Sequence, residues 1–344
     1  MIGVDMEWGL AMRLDSAVRF PFQMALGAMQ GGDDLLYRMG VEVGRQARRM
    51  GIHVNYAPVV DINNNPKNPV INFRSFGEDK ISVANKSLAY MKGMQSQRLL
   101  TTAKHFPGHG DTGVDSHYDL PVIPHSRDYL DRNELFPFKY LIDNGLSGIM
   151  TAHLNIPSLE PRQGLASTFS SKIVNDLLRK ELGFEGLTFT DAMDMQGAVK
   201  NYKPGEAMVE AFLAGNDVLE TFLDVPVAFN ALKAAVESGK IPVALLDAKV
   251  KKILRAKAWV GLDRYAPVKI EGLIEDLNTL ESDFLNRVLA ERTLVALETA
   301  HLPVKDLRRN TLVVSLGAEG RTGFQRMAEN YTLTESVSIH KSSG

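Results

Sequence analysis

Short apolar runs alternate with helical stretches between Ile2 and Glu220, and this alternation constrains the fold more than any other feature of the sequence. Most runs carry few charges before their last residue, as strands do when both faces of a parallel sheet are covered. Between them, residues 34–50 and 170–182 place apolar side chains at helical spacing. Strands that alternate with helices predict βαβ units and a parallel sheet. The runs are Ile2–Asp5, Val54–Val60, Leu99–His105, Gly148–His153, Gly186–Asp191 and Asp217–Glu220.

The number of units favours one closed architecture, with an open sheet as the alternative. Six strand–helix units fit most of a (β/α)8 barrel of the TIM type, which usually needs about 250 residues. An open doubly wound sheet would usually carry a glycine-rich dinucleotide loop early in the chain, and the sequence contains none. We therefore expect an α/β fold built as a (β/α)8 barrel.

Polar residues recur at the carboxyl ends of the apolar runs. In a barrel these ends meet at one face, and that face carries the active site. The pattern therefore predicts one site assembled from several strands. The residues are Asp5, Asp61, Lys104, His105, His153 and Asp191.

The pattern changes after Gly261. A polar connection over 263–275 leads to a helical stretch over 282–300, and then to a new apolar run, Thr311–Gly317, with a helical stretch near 323–330. One strand and one helix bury too little surface to be stable alone. We predict a barrel over 1–262 that is incomplete at its N-terminus, a linker and helix over 263–309, and the truncated start of a C-terminal α/β domain over 310–344.

Composition excludes several classes of protein. Hydrophobic residues make up 44% and charged residues 23% of the 344, as in an ordinary globular protein. The net charge is −2 and basic residues are spread along the chain, so no nucleic-acid-binding surface is expected. No apolar run is long enough to cross a membrane, and the absence of cysteine excludes thiol catalysis and disulfides. The start lacks a secretory-signal pattern, so either the mature protein has no signal or the sequence begins inside a longer product; a cytoplasmic and an exported protein both remain open.

The loop after the Leu99–His105 run is the most distinctive segment. Three histidines, three aspartates and three glycines lie between His105 and Asp119, with neither helical nor strand periodicity. If the chain is extended at Asp115-Ser116-His117, side chains two positions apart project to the same side. Asp115 would then hold one ring nitrogen of His117 and leave the other free. His117 is therefore a candidate general acid and base, oriented by Asp115.

Asp191 is the second candidate catalytic group. It ends an apolar run and so places a carboxylate at the expected catalytic face. A lone aspartate at a strand end is often a helix cap, and capping is the favoured role for the neighbouring Asp194.

These segments together resemble glycoside hydrolase family 3, and within it the β-N-acetylglucosaminidase branch. They occur in family order up to about residue 262; the loop motif is long and specific, whereas each short element alone is a weak signal. The matching elements are Gly3-Val4-Asp5-Met6-Glu7, Ala57-Pro58-Val59-Val60-Asp61, Asn72-Phe73-Arg74-Ser75-Phe76-Gly77, Lys104-His105-Phe106-Pro107-Gly108-His109-Gly110-Asp111-Thr112, Asp115-Ser116-His117, Met150-Thr151-Ala152-His153, Leu182-Gly183-Phe184-Glu185-Gly186, Thr190-Asp191 and Ala214-Gly215-Asn216-Asp217.

The resemblance implies a (β/α)8 barrel, often followed by an α/β sandwich domain. It also implies an exo-acting, retaining β-N-acetylhexosaminidase that forms a covalent glycosyl-enzyme intermediate. Asp191 matches the family's nucleophile, and His117 with Asp115 matches the acid/base pair of this branch. A retaining enzyme needs these two groups about 5 Å apart. Residues matching sugar-binding positions are Asp5, Arg74, Lys104 and His105.

The sequence departs from the family pattern in three places, one of which is that Asp191-Ala192 stands where a pair of acids is usual. Met6-Glu7-Trp8-Gly9-Leu10 stands where Gln-Glu-Gly-Gly-Arg is usual, so different sugar contacts are expected there. The strand and helix that precede the position of Asp5 in the family are missing, which we interpret as a truncated N-terminus.

Three interpretations of the function remain open. The first is a β-N-acetylhexosaminidase whose partner is a carbohydrate derived from peptidoglycan or chitin. The second is a β-glucosidase-like hydrolase of the same fold, and the third is a non-catalytic carbohydrate-binding or docking module. The clustered histidines offer metal ligands, but their spacing fits no common metal signature. We therefore expect no metal and no cofactor, and we expect the missing domains of a longer chain as further partners.

Overall fold

The computed structural model describes residues 1–113, 119–195, 199, 202–220, 224–296, 308 and 310–340. The chain divides into two compact units, Met1–Leu294 and Val295–Gly344. The first unit contains a curled, all-parallel sheet in which each strand pairs with the next one along the sequence. The strands are β1 (Gly3–Val4), β2 (Val54–Asn55), β3 (Leu100–Phe106), β4 (Gly148–Thr151) and β5 (Leu187–Thr190).

Helices alternate with these strands, which confirms the expected α/β fold. A parallel bridge between Phe189 and Val218 continues the sheet beyond β5, within the run predicted over Asp217–Glu220. The helices of this unit are α1 (Gln23–Gly27), α2 (Asp33–Arg49), α3 (Lys80–Ser96), α4 (Arg127–Arg132), α5 (Leu135–Asp143), α6 (Lys172–Glu181, with π-type turns), α7 (Glu206–Ala214), α8 (Val225–Glu237), α9 (Val243–Trp259), α10 (Leu273–Leu277) and α11 (Leu280–Arg292).

The strand β3 lies in the middle of the sheet, and every one of its residues is buried. Its neighbours β2 and β4 cover both edges, so its backbone polar groups pair within the sheet. Helix α2 packs as its spacing predicts, with Leu36, Met39 and Val43 fully buried. Each such side chain contributes about 1.5–3 kcal/mol relative to an exposed one.

Helices α2 and α3 approach each other closely through two glycines. A Cβ atom on Gly40 would lie 2.3 Å from the Tyr90 carbonyl oxygen, and one on Gly93 would lie 2.1 Å from that of Tyr37. No larger residue fits at either position without separating the helices. The Tyr90 hydroxyl donates to the Met6 carbonyl at 3.2 Å, which fixes the segment following β1.

The second unit contains a βαβ arrangement of β6 (Thr311–Leu316), α12 (Gly323–Ala328) and β7 (Thr334–Ile339), with the two strands parallel. The sequence pattern predicted β6 and the helix but not β7. The inward positions of β7 are polar: the Ser338 hydroxyl contacts Gln325 Oε1 at 3.3 Å. This strand therefore lacks the apolar run that marked the others.

Among the helices within the described ranges, none is both long and apolar enough to cross a membrane.

Candidate active site

Five of the predicted site residues line one cavity of about 320 Å³ at the carboxyl ends of the strands. Asp5 follows β1, Lys104 and His105 lie near the end of β3, Asp191 follows β5, and Arg74 comes from the turn at Asn72–Arg74. The strand-end argument therefore located the cavity. The rest of its lining is Glu7, Met12, Arg13, Tyr56, Val70, His109, Met150, Ala192, Met195 and Glu220.

Lys104 is the cation that joins two carboxylates at the base of this cavity. Its Nζ lies 2.7 Å from Asp5 Oδ1 and 2.8 Å from Glu7 Oε1, and its side chain is only 2% exposed. Burial alone would lower the pKa of Lys104, but the two carboxylates raise it above its usual value. Arg13 Nη2 donates a hydrogen bond to the other oxygen of Asp5, Oδ2, at 2.6 Å. Both oxygens of Asp5 are thus held by cations.

Glu7 positions Arg74 with two hydrogen bonds. Arg74 Nη2 donates to Glu7 Oε1 at 2.7 Å and Nε donates to Oε2 at 3.0 Å. Burial would raise the pKa of the Glu7 carboxyl, but Lys104 and Arg74 hold it well below its usual range. The sequence analysis quoted Glu7 only within a motif and missed this role. Its signal was its position two residues after Asp5, just past the end of the same apolar run.

Asp61 organises the start of the loop after β3. Its Oδ2 lies 2.7 Å from His105 Nδ1, and its Oδ1 accepts from the His109 backbone N–H at 2.7 Å. Burial opposes ionisation of Asp61, but His105 and His109 lower its pKa. Burial and the neighbouring His105 lower the pKa of His109 to about 4, so its ring is neutral near pH 7. The other ring nitrogen of His105 lies 3.3 Å from Arg74 Nη2.

Asp191 reaches the cavity without a direct ion pair among the described residues. Its backbone N–H donates to the Thr151 carbonyl at 2.9 Å, and its Oδ1 accepts from the Ala192 N–H at 2.8 Å. Burial would raise its pKa, but His105 and then His153 lower it below the usual value. An ionised carboxylate exposed to a cavity is the state that a nucleophile requires.

The base of the histidine-rich loop is held by Asn68. Its Nδ2 donates to the carbonyl oxygens of His109 and Gly110, each at 2.8 Å. Gly110 passes so close to the segment after β2 that a Cβ on it would lie 1.7 Å from the Ile62 carbonyl oxygen. The predicted acid/base pair, Asp115 and His117, lies outside the described residues.

Tyr56 and Glu220 form a pair in the cavity wall that the sequence analysis did not identify. The Tyr56 hydroxyl donates to Glu220 Oε1 at 2.6 Å. Glu220 ended a predicted strand run, so its position carried the same signal as Asp191. Tyr56 carried none, because it lies inside the predicted run Val54–Val60, where an aromatic residue is more often part of the core.

Glu134 is a buried carboxyl group beside this loop. It is 2% exposed, and its Oε1 accepts from Asn64 Nδ2 at 2.8 Å. Its Oε2 and the Asn64 Oδ1 are both buried without a hydrogen-bond partner in the described structure. Burial raises the pKa of Glu134 to about 7, and Asp61 and Asp111 act in the same direction. A proton on Oε2 would give this oxygen a hydrogen to donate.

A larger cavity, of about 550 Å³, has a different character. Its lining includes Ile2 and His53, which precede β1 and β2, so it opens at the amino ends of the strands. None of the predicted site residues within the described ranges lines it. The predicted catalytic and sugar-binding residues that the structure describes lie in the smaller cavity.

Comparison with known proteins agrees with this geometry. Residues 1–256 match the family described as "Glycosyl hydrolase family 3 N terminal domain". The chain is 35% identical over 341 residues to "Beta-hexosaminidase A" of Pseudoalteromonas piscicida, covering 92% of this chain and 56% of that protein. It is 31% identical over 314 residues to "Beta-N-acetylglucosaminidase/beta-glucosidase" of Cellulomonas fimi, covering 88% and 56%.

A solved structure extends the likeness to three dimensions. The glycoside hydrolase family 3 β-N-acetylglucosaminidase from Paenibacillus sp. str. FPU-7 superposes with a TM-score of 0.87 at 36% identity, over 99% of this chain and 67% of that one. The chain spans a little over half the length of the curated relatives above, 56% in each case. Its matched segment and its fold nonetheless identify it: the chain belongs to glycoside hydrolase family 3.

Proposed function

We propose that the protein is an exo-acting, retaining β-N-acetylhexosaminidase. The observation that carries the proposal is the ionised Asp191 carboxylate in one cavity with Asp5, Arg74, Lys104 and His105. Asp191 is the nucleophile, and the other four bind hydroxyl groups of the terminal sugar. A beta-hexosaminidase and a β-N-acetylglucosaminidase among the relatives support the choice of sugar. The partner is thus a carbohydrate, derived from peptidoglycan or chitin.

The acid/base in this proposal is His117, oriented by Asp115. The described part of the loop supports it, because Asp61 and Asn68 fix residues 109 and 110 only a few positions before Asp115. The role of His117 rests on the sequence motif.

The proposed reaction has two steps. An oxygen of Asp191 attacks the anomeric carbon, the glycosidic C–O bond breaks, and protonated His117 gives its proton to the leaving oxygen. Water then attacks the same carbon from the opposite side, neutral His117 takes its proton, and Asp191 leaves as a carboxylate. Two inversions give net retention. These residues complete the chemistry without a metal or a cofactor.

The proposal also covers the architecture around the site. The strand order and the shared cavity at the carboxyl ends support a (β/α)8 barrel over 1–262. The β6–α12–β7 arrangement supports an α/β domain that starts within 310–344, after a linker and helix over 263–309.

The second candidate function is a β-glucosidase of the same family. One observation favours it: the Cellulomonas fimi relative carries both activities in its name. The third interpretation is a non-catalytic module. It is disfavoured because Asp191 lines the cavity with a lowered pKa, as a nucleophile requires.

One experiment separates these functions. Aryl β-N-acetylglucosaminide and aryl β-glucoside are compared by kcat/KM, and the first-formed product is followed by proton NMR. We expect the N-acetyl substrate to react at least about tenfold faster, a difference of about 1.4 kcal/mol in transition-state binding, with the β-anomer appearing first. A faster glucoside selects the second function, an α-anomer rules out the retaining mechanism, and no turnover of either substrate favours the third.

A further inference from the structure

Tyr56 and Glu220 form a wall of the sugar cavity that has no role in the reaction proposed above. Both residues line the cavity that contains Asp191, and both are half-buried. Tyr56 follows β2, whereas Glu220 lies beyond the bridge at Val218, so the 2.6 Å hydrogen bond between them crosses the inside of the sheet. A contact of this kind holds the carboxylate in one orientation.

Neighbouring residues hold both members of this pair in place. A Cβ atom on Gly3 would lie 2.3 Å from the Tyr56 hydroxyl oxygen, so the phenol occupies the space that a side chain at position 3 would fill. The Tyr56 ring packs edge-on against Phe189 at 5.6 Å, in the strand that leads to Asp191. The Glu220 backbone N–H donates to Thr190 Oγ1 at 2.9 Å. Glu220 is thereby fixed relative to the proposed nucleophile.

The carboxylate of Glu220 has one oxygen left for a ligand. Within the described part of the chain, no group donates to its Oε2, whereas cations take both oxygens of Asp5 and of Glu7. Burial raises the pKa of Glu220, the hydrogen bond from Tyr56 lowers it, and the Asp5 carboxylate raises it again. The charge of Glu220 is therefore incompletely compensated by the protein, and a donor on a bound ligand would stabilise it.

We propose that Glu220, held by Tyr56, is a specificity-determining residue that accepts a hydrogen bond from one hydroxyl group of the terminal sugar. It rejects sugars that carry an anionic substituent, such as sulfate, at that hydroxyl. The inference rests on the proposed function, because it assumes that the cavity binds the terminal sugar. A hydroxyl supplies the donor that Oε2 lacks, whereas a sulfate there would bring two negative charges together in a poorly solvated cavity.

The test uses Glu220→Gln, which keeps the side-chain size and an acceptor for Tyr56 but removes the charge. Its substrates are an aryl β-N-acetylglucosaminide and its 3-O-, 4-O- and 6-O-sulfated derivatives. For at least one sulfated substrate, we expect kcat/KM in the unaltered protein to fall well below that of the parent. In Glu220→Gln the ratio of kcat/KM for the parent substrate to kcat/KM for the sulfated substrate should fall by about tenfold, as expected when a repulsion near 1.4 kcal/mol is removed.

A second variant measures the attractive contact. Glu220→Ala should weaken binding of free N-acetylglucosamine, measured by calorimetry, by about tenfold, since a hydrogen bond to a charged group is lost. Glu237→Gln and Glu237→Ala are matched controls, because Glu237 is an exposed glutamate in α8 with a side chain 66% accessible. If Glu220→Ala does not fold, Glu220→Gln carries the test.

The outcomes separate this inference from the proposed function. The ratio of kcat/KM for the parent substrate to kcat/KM for the sulfated substrate is the quantity to compare. If Glu220→Gln cleaves the parent substrate normally and leaves this ratio unchanged, the inference is overturned and the proposed function stays intact. Absence of both cleavage and N-acetylglucosamine binding in the unaltered protein overturns both. A smaller ratio in Glu220→Gln, with no such change in Glu237→Gln, supports the inference.

Discussion

At the scale of single residues, the carboxylates of the cavity differ in how they are neutralised. Asp5 and Glu7 are each in ion pairs of 2.6–2.8 Å, with the buried Lys104, with Arg74 and with the exposed Arg13. In the described structure, Asp191 has backbone hydrogen bonds but no such pair. A carboxylate held tightly by a cation is a poor nucleophile, so the ion pairs point to Asp191 as the reacting group and leave the others to bind and position.

The two proposed catalytic roles predict different responses to leaving-group chemistry. Asp191→Ala should lower kcat by at least about 10³-fold on every aryl N-acetylglucosaminide, because the nucleophile is needed whatever group leaves. His117→Ala should retain far more activity on a dinitrophenyl than on a phenyl glycoside, because a good leaving group needs little protonation. Steady-state kinetics on both substrates tests the pair.

Asp143→Ala is the control for this comparison, because Asp143 is an exposed aspartate of α5, paired with Lys139, and its loss should leave kcat unchanged. Equal losses of His117→Ala on both substrates would remove His117 from the acid/base role. A fluorosugar label on a carboxylate other than Asp191 would remove Asp191 from the nucleophile role.

Position at the end of a predicted strand was enough to identify some of the cavity-lining residues from the sequence, but not others. It brought Asp5, Lys104 and Asp191 into one cavity, because parallel strands present their carboxyl ends at one edge. The pairing of Tyr56 with Glu220 could not be predicted, since it depends on the space above Gly3. The local sequence pattern likewise did not predict that Glu134 is buried.

At the scale of elements, α5 begins beside the histidine-rich loop and brings Glu134 against Gly108. A Cβ on Gly108 would lie 2.7 Å from the Glu134 Cβ and 2.9 Å from its Oε2. The helix start and the loop therefore contact each other at a carboxyl group that is costly to ionise. The stability of this contact should depend on pH.

The expected effect has a definite sign. An ordinary glutamate titrates near 4.5, and Glu134 in the folded protein titrates near 7, so the folded state holds its proton while the unfolded state releases it. The stability that Glu134 contributes is present below about pH 4.5 and is lost as pH rises to about 7. Glu134→Gln, which is neutral at every pH, should gain stability relative to the unaltered protein over this window, by up to about 3 kcal/mol.

Urea unfolding at pH 5, 6, 7 and 8 measures this difference. Glu281→Gln, at the start of α11, is a control in which no comparable pH-dependent difference is expected. A stability difference between Glu134→Gln and the unaltered protein that does not change with pH would show that Glu134 is ionised in the folded state.

Elements with strong apolar periodicity were predictable, and those with polar inward faces were not. Helix α2 was expected over Asp34–Met50 and is found over Asp33–Arg49, because its buried stripe is unbroken. Strand β7 was missed, because Ser336 and Ser338 occupy the positions where apolar residues would have marked it.

At the scale of the whole molecule, the cavity neutralises its cations with carboxylates: Arg13, Arg74 and Lys104 pair with Asp5 and Glu7. Over the described ranges, no group of three or more histidine, aspartate and glutamate side chains is placed to hold a metal ion. We predict that activity on the aryl N-acetylglucosaminide is unchanged by chelation, because Asp191 and His117 complete the reaction between them. Assays before and after EDTA treatment, with and without added divalent ions, test this. Activity that is lost to EDTA and restored by one ion would contradict it.

The sequence established the class of the fold and the family, whereas sheet closure and the division into 1–262, 263–309 and 310–344 stay predictions. Local periodicity reports which face of an element is buried. Closure of a barrel depends on pairing between its first and last strands, which lie far apart in sequence. The order of the short motifs carried the resemblance to the family, and several of them lie at the ends of separate strands, as at Asp5, His105 and Asp191.

The hydrogen bond between Tyr56 and Glu220 also bears on how the protein is made. The two residues are 164 positions apart. At 5–20 residues per second, a ribosome needs roughly 8 to 33 s to add the chain between them. During that interval β1, β2 and β3 can pair, but the wall of the cavity that contains Glu220 does not exist. A nascent chain that ends before Glu220 can therefore have an ordered sheet while one wall of the cavity is still missing.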